Sequence, residues 1–286
     1  DLKSFASNFL ITLPSLAIHL NRTANEGFVP DKQKDLPLLS LGKSDFDSLL
    51  EKPVSYDLYT ACAQEPYLWG ENNEFLSSPR LDNLASVYAS LATITDKTNG
   101  VCVAACLDSE EVGSNPRQGA AGDLLSAVLK RIALSQKLNE EEMLCALAKS
   151  FCISLDNAQG FHPNHGEKFD PQDRAMLGKG VAIKGHAGGA YTTDALSSAI
   201  LKKVFSLADA PLQVFYNRSD ARSGSTLGAI SLGQVCILTV DIGLPQLAMH
   251  SAVETIACED YKSLEKGLSA FWNSEISIDG DQVNIR

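Results

Sequence analysis

Six small or apolar residues, Cys102 to Leu107, run directly into Asp108, Glu110, Glu111 and a glycine turn. A stretch that is apolar on successive rather than alternate positions reads as a strand buried on both faces. This one ends in acid. A single carboxylate after a strand is ordinary. An aspartate followed by two adjacent glutamates at the mouth of a sheet calls for a chemical reason.

The rest of the chain supplies the sheet. Residues 77–94 open on turn residues and then carry Leu84, Val87 and Leu91 at helical spacing, with Asp82 near the N-terminus. After the 101–107 strand, residues 119–136 place Leu124, Leu125, Val128 and Ile132 on one helical face. Residues 150–156 read as a strand ending in Asp156. A helix over 191–208 has Asp194 near its start and Leu196, Ile200 and Val204 facing inward. Strands over 212–217 and 234–243 follow, then a long helix from His250 to Trp272. Alternation of this kind predicts a largely parallel sheet covered on both faces, an α/β fold.

The first 72 residues differ. Pro14 interrupts the apolar segment 9–22, which suits an edge strand or two short strands. Residues 25–37 are loop-like, residues 38–50 suit a short helix begun by Ser44 and Asp45, and residues 54–68 suit one or two strands. The expected organisation is a small β-rich module over 1–72 and an α/β domain over 73–286.

Composition narrows the function. The chain has 286 residues, 44% hydrophobic and 21% charged, which allows a sizeable core. Its net charge of -11, with no basic cluster beyond Lys202 and Lys203, argues against a nucleic-acid partner. Seven cysteines without a CxxC pair suit reduced thiols in a cytoplasmic protein. The longest apolar stretch contains a proline and is too short to span a bilayer, so no membrane partner is expected.

In open α/β sheets, function collects outside the C-terminal ends of strands. Asp108, Glu110 and Glu111 follow one strand and Asp156 another, while Asp82 and His250 open helices. Carboxylates and imidazole at one rim suit Zn, Mn or Co, singly or as a pair. Two such ions need a bridging carboxylate and can polarise a carbonyl while acidifying water. Of the adjacent glutamates, one would bind metal and its neighbour take a proton from water. Taken singly, each acid is equally at home as a helix cap.

Seven segments carry a family resemblance: PSLAIHLNR (14–22), PRLDNL (79–84), DSEEVGS (108–114), SLDNAQGFHPNH (154–165), VAIK (181–184), SGSTLG (223–228) and LPQLAMHS (244–251). In this order they resemble the signatures of the M18 metallo-aminopeptidases, which include the aspartyl aminopeptidases. The resemblance implies a three-layer α/β/α catalytic domain with a smaller β-rich dimerisation domain, and two divalent metal ions, zinc first and Mn or Co as alternatives. It implies hydrolysis of N-terminal residues, acidic ones foremost, from peptide substrates, and a homodimer assembling to a dodecamer.

Residue by residue, it implies that Asp82 bridges the metals, Glu111 and His250 complete one site, and Asp156 belongs to the other. Glu110 would be the general base. His19 would reach into a partner's site, Lys184 would meet an acidic side chain, and His162 and Gln159 would lie near the substrate. Gln159 stands where the family has a histidine, and a glutamine does not titrate. The family's early His-x-Asp motif is missing, so the chain is expected to lack an N-terminal portion. Two other readings stay open: an inactive or fragmentary homologue serving as an assembly protein, and a related di-metal amidohydrolase.

Overall fold

The computed structural model describes residues 3–4, 6, 10–14, 16–21, 23, 25–27, 29–39, 53–95, 100–221, 223–224, 226–231, 233–280 and 282–286. The chain divides into two compact units, Asp1–Ala63 and Gln64–Arg286. In the first, Thr12 and Leu39 form an antiparallel bridge with amide-to-carbonyl distances of 3.0 and 2.8 Å. A turn closed by the Leu20 amide on the Ala17 carbonyl, at 2.8 Å, carries His19. The helix expected from Ser44 and Asp45 lies outside the described residues.

The second unit is α/β. Strands β1 (Tyr67–Trp69) and β2 (Phe75–Ser78) precede helix α1 (Leu81–Thr93). Helices α2 (Leu124–Ser135) and α3 (Glu140–Ala148) lead to β3 (Phe151–Leu155) and β4 (Ala158–Gln159). Then come β5 (Val181–Gly185), α4 (Ala195–Ser206), β6 (Leu212–Tyr216), α5 (Leu227–Ser231), β7 (Leu238–Gly243), β8 (Pro245–Leu247) and β9 (Glu254–Ala257). Helix α6 (Cys258–Asn273) and the hairpin β10 (Ile276–Asp279) and β11 (Gln282–Ile285) close the chain.

Two sheets result. One has four strands in the order β3-β7-β5-β6, the other five in the order β1-β2-β9-β8-β4. The first is mixed rather than largely parallel: β3 and β7 are parallel, β5 and β6 are parallel, and the two pairs meet antiparallel. The reason lies in the connections. Strands β5 and β6 are joined through α4, whereas β3 and β7 run on almost at once into β4 and β8 of the other sheet. Two parallel ribbons, β3–β4 and β7–β8, therefore pass together from one sheet to the next. At their seam a Cβ on Gly243 would lie 1.9 Å from the Asp156 carbonyl oxygen, so a side chain there has no room.

Three sequence expectations need correction. Residues 101–107 enter no ladder with another strand among the described residues. The face of α1 bearing Leu84 and Leu91 points outward, while Leu81, Ala85, Ser86 and Ala89 are buried. Small residues let α1 approach α6 closely, whereas Leu84 and Val87 line a cavity of about 960 Å³. The last helix begins at Cys258, not His250, because β9 intervenes. The β-branched residues Val253, Thr255 and Ile256 favour that strand.

Helices α1, α4 and α6 share one core with the sheet strands, including Ala89, Ile183, Leu201, Phe205, Val240 and Leu264. Helix α4 starts after Asp194 rather than at Tyr191, and Leu196 is exposed rather than inward; the Asp194 side chain accepts from the Ser197 amide at 2.7 Å while Ser197 Oγ accepts from the Asp194 amide at 3.0 Å. In α6, Gly267 gives Phe205 its space: a Cβ there would lie 2.2 Å from the ring. Gly267→Ala gains about 1 kcal/mol of helix propensity and costs about 1–3 kcal/mol of overpacking. Urea denaturation of this variant should show a net loss of stability.

Candidate metal centre

The centre begins with the pairing of β2 and β9, which sets Ser78 opposite Glu254. Beyond β2 the chain turns through Arg80 in the left-handed region and enters α1, whose first turn is broken at Asp82 and Asn83 by non-helical dihedrals. The peptide bond between those two residues is cis. The break turns the Asp82 side chain inward, leaving only 3% of it exposed. Asn83 Nδ2 donates to the Leu155 carbonyl at 2.7 Å, and Asn157 Nδ2 to the Leu81 carbonyl at 3.0 Å. The start of α1 is thereby tied to the seam where Asp156 leaves β3. Asn157 Nδ2 also donates to Gln246 Oε1 on β8.

The two glutamates stand in a short 3-10 turn, Glu110–Val112, between Ser109 and Gly113, both with positive φ. Asp108 supports this turn. Its Oδ1 accepts from the Ser109 amide at 2.7 Å, and its backbone amide donates to the Gln118 carbonyl at 3.1 Å. His250 comes from the loop between β8 and β9, where Ala248 and His250 have φ of 56° and 66°. Its Nε2 lies 3.1 Å from Glu111 Oε2 and 3.4 Å from Asp82 Oδ2. Ligating atoms of Asp82, Glu111 and His250 all fall within 4.8 Å of one another.

Asp156 stands beside this trio with a partner of its own. Its Oδ2 accepts from Lys184 Nζ at 3.2 Å, and the Asn157 carbonyl accepts from the same ammonium at 3.2 Å. Lys184 is 2% exposed and lies 5.2 Å above the Tyr191 ring. A buried ammonium requires such partners.

Charge crowding shifts the acids. Burial, and then the charges of Asp156, Glu111 and Glu254, push Asp82 up to about 8. Burial and the charges of Asp156 and Glu111 push Glu110 up to about 6, against the pull of Lys184 and His250. Glu111 is raised as well, by burial first, with His250 opposing. Asp82 Oδ1 is buried without a hydrogen-bond partner. The other oxygen, Oδ2, is the one 3.4 Å from His250 Nε2, and a carboxylate with one oxygen orphaned beside a second carboxylate and an imidazole fits a divalent cation, since zinc takes carboxylate oxygen and imidazole nitrogen.

His19 lies in the first unit. His162 Nδ1 accepts from the Asn164 amide at 3.2 Å, and its ring is 4.9 Å from that of His165. Gln159 is exposed on β4, paired in register with Gln246. Ser225 lies outside the described residues. Glu254 and Asn157 were missed by the sequence reading. For Glu254 the signal was its place in a β-branched stretch after His250, which reads differently once β9 is taken as a strand.

The chain matches the family model described as "Aminopeptidase I zinc metalloprotease (M18)" over residues 38–272. It is 42% identical over 281 residues to a Clostridium novyi protein named "Probable M18 family aminopeptidase 2", covering 92% of this chain and 65% of that one. A protein of the same name from Clostridium acetobutylicum is 39% identical over 284 residues, with the same coverages. The chain thus spans about 65% of the length of these relatives. Among solved structures, that of "the Ape4 and Nbr1 complex" is 32% identical with a TM-score of 0.81, covering 92% of this chain and 57% of that one. The structure of prApe1, at 22% identity and a TM-score of 0.78 over 92% of this chain and 62% of that one, shares the fold. With a family match running from the first unit through most of α6, and Asp82, Glu111 and His250 inside it, this chain belongs to the M18 family of aminopeptidase I zinc metalloproteases.

Proposed function

We propose that the chain is the metal-binding part of an aminopeptidase that removes N-terminal residues from peptides. The observation that carries this reading is the convergence of Asp82, Glu111 and His250, with Glu110 adjacent, in a chain of this family. Asp82, Glu111 and His250 would hold one divalent cation, and Asp82 with Asp156 would contribute to a second. Zinc is the first choice, with Mn or Co as alternatives. When bound, such cations supply Lewis acidity to a carbonyl and lower the pKa of water.

Glu110 serves as the general base. It takes a proton from the water that attacks the scissile carbonyl carbon, and returns it to the amine nitrogen as the C–N bond breaks. Its raised pKa of about 6 leaves it ionised at neutral pH yet basic enough to accept that proton. Lys184 orients Asp156 and is proposed to meet an acidic substrate side chain. Asp156 and Asn157 engage two of its three N–H donors. In a protein of net charge -11, a local cation of this kind is needed to hold an acid. His162 and Gln159 are assigned to the substrate side, and His19 to a neighbouring copy's site. The residues over 1–72 are assigned to dimerisation, with a dodecamer as the full assembly. In support, Leu10, Leu16, Leu20 and Val29 are exposed. No helix among the described residues is long and apolar enough to cross a membrane, which accords with a cytoplasmic enzyme.

Glu110→Gln should preserve metal content and lower kcat by about 10²–10⁴-fold on an N-terminal aspartyl or glutamyl peptide. Full turnover in that variant removes Glu110 from the role. Aspartyl substrates should outpace leucyl ones, and the opposite order removes charge selection by Lys184. Metal uptake should also depend on pH. Asp82 without metal stays protonated below about 8, so binding must displace that proton. Apparent affinity should therefore rise about tenfold per pH unit up to that point and level off above it. Calorimetry in buffers of different ionisation enthalpy would count the released proton.

A further inference from the structure

Glu254 is buried, with 2% of the residue exposed, at the first position of β9. Its two carboxylate oxygens serve two different segments. Oε2 accepts from the Asp82 amide at 2.9 Å, and Oε1 accepts from the His250 amide at 2.7 Å. Both amides belong to residues already read as cation ligands, and both lie in irregular backbone, His250 in a turn closed by the Ser251 amide on the Ala248 carbonyl at 2.9 Å. Asp82 has non-helical dihedrals inside the first turn of a helix. His250 has a φ of 66°, a region that a residue with a Cβ rarely enters without outside support. The antiparallel register that sets Glu254 opposite Ser78 brings one carboxylate within reach of both.

We infer that Glu254 is a positioning residue: its carboxylate clasps the Asp82 and His250 backbones together and so sets the spacing of two ligands that come from separate parts of the chain. The inference rests on the reading of those two side chains as ligands. Glu254 itself donates no atom to the trio. Its role needs two acceptors and no donor. A glutamine has one acceptor, and its NH2 group would face the second amide, donor against donor. One ligand segment would then be released. Partners that orient metal ligands typically contribute about 10–100-fold to metal affinity when removed.

The test uses the full chain, with Co2+ as the probe and its visible absorption as the readout. Glu254→Gln should weaken Co2+ binding about 10–100-fold and alter the shape of the bound-state spectrum, while the thermal midpoint without metal changes little. His250→Ala serves as the control for the ligand reading. If His250→Ala binds as tightly as the unaltered chain, the ligand reading fails. If His250→Ala loses binding but Glu254→Gln keeps full affinity and the same spectrum, the clasp is overturned and the ligand reading stands. Should Glu254→Gln fail to fold, hydrogen exchange on the unaltered, metal-free chain decides. Slow exchange at both the Asp82 and His250 amides supports the clasp, and exchange of either at the rate of a free peptide overturns it.

Discussion

Negative charge is concentrated where the two sheets meet. Burial and the charges of Asp156, Glu111 and Glu254 raise Asp82, burial and the charges of Asp156 and Glu111 raise Glu110, and Lys184 and His250 oppose the shift at Glu110. Such a cluster would repel itself apart in an unconstrained chain. It persists because each acid has a separate structural tether. Glu254 is bound to two amides, and Asp156 to a buried ammonium. Asp82 sits in a helix start held by Asn157, and Glu111 in a turn held by Asp108. Burial and the charges around it push Asp82 up to about 8.

The fold brings these tethers to one place by an economical route. Residues Asp156 and Asn157 lie at the transition between β3 and β4, and Gly243 at the matching transition between β7 and β8. Asp156 lies at this seam and the start of α1 is hydrogen-bonded to it through Asn157, whereas the Glu110–Val112 turn is held by its own loop. Lys184 reaches the seam from β5, which runs in the opposite sense to β7. A rule that looks for function only at the C-terminal ends of parallel strands places Asp156 correctly, but it does not account for the direction from which Lys184 arrives.

Legibility in the sequence followed how local each signal was. Helix α4 was readable because its cap, Asp194, and its buried face, Ile200 and Val204, lie within one segment. The trio was readable as chemistry, since acids and a histidine after apolar runs have few other uses together. His250 was misplaced onto a helix because apolar spacing over 250–272 does not show that Glu254 begins a strand. Glu254 was missed for the same reason: its partners, 172 and 4 residues away, are backbone amides, which leave no trace in side-chain patterns. The 101–107 run has a strand's composition, but composition does not supply a neighbour to pair with. Its surroundings include the cavity shared with α2, whose apolar face at Leu125 and Ile132 lines that space.

The paired ribbons also govern what the molecule is able to do mechanically. Two sheets joined by loops can hinge. Two sheets joined by parallel strands that run through both, meeting where Gly243 touches the Asp156 carbonyl, lose that rotational freedom. The seam behaves as a weld. Asp156 leaves β3 at this seam, while the Glu110–Val112 turn is tied to its own loop through Asp108, so the carboxylates of the centre rest on two separate supports.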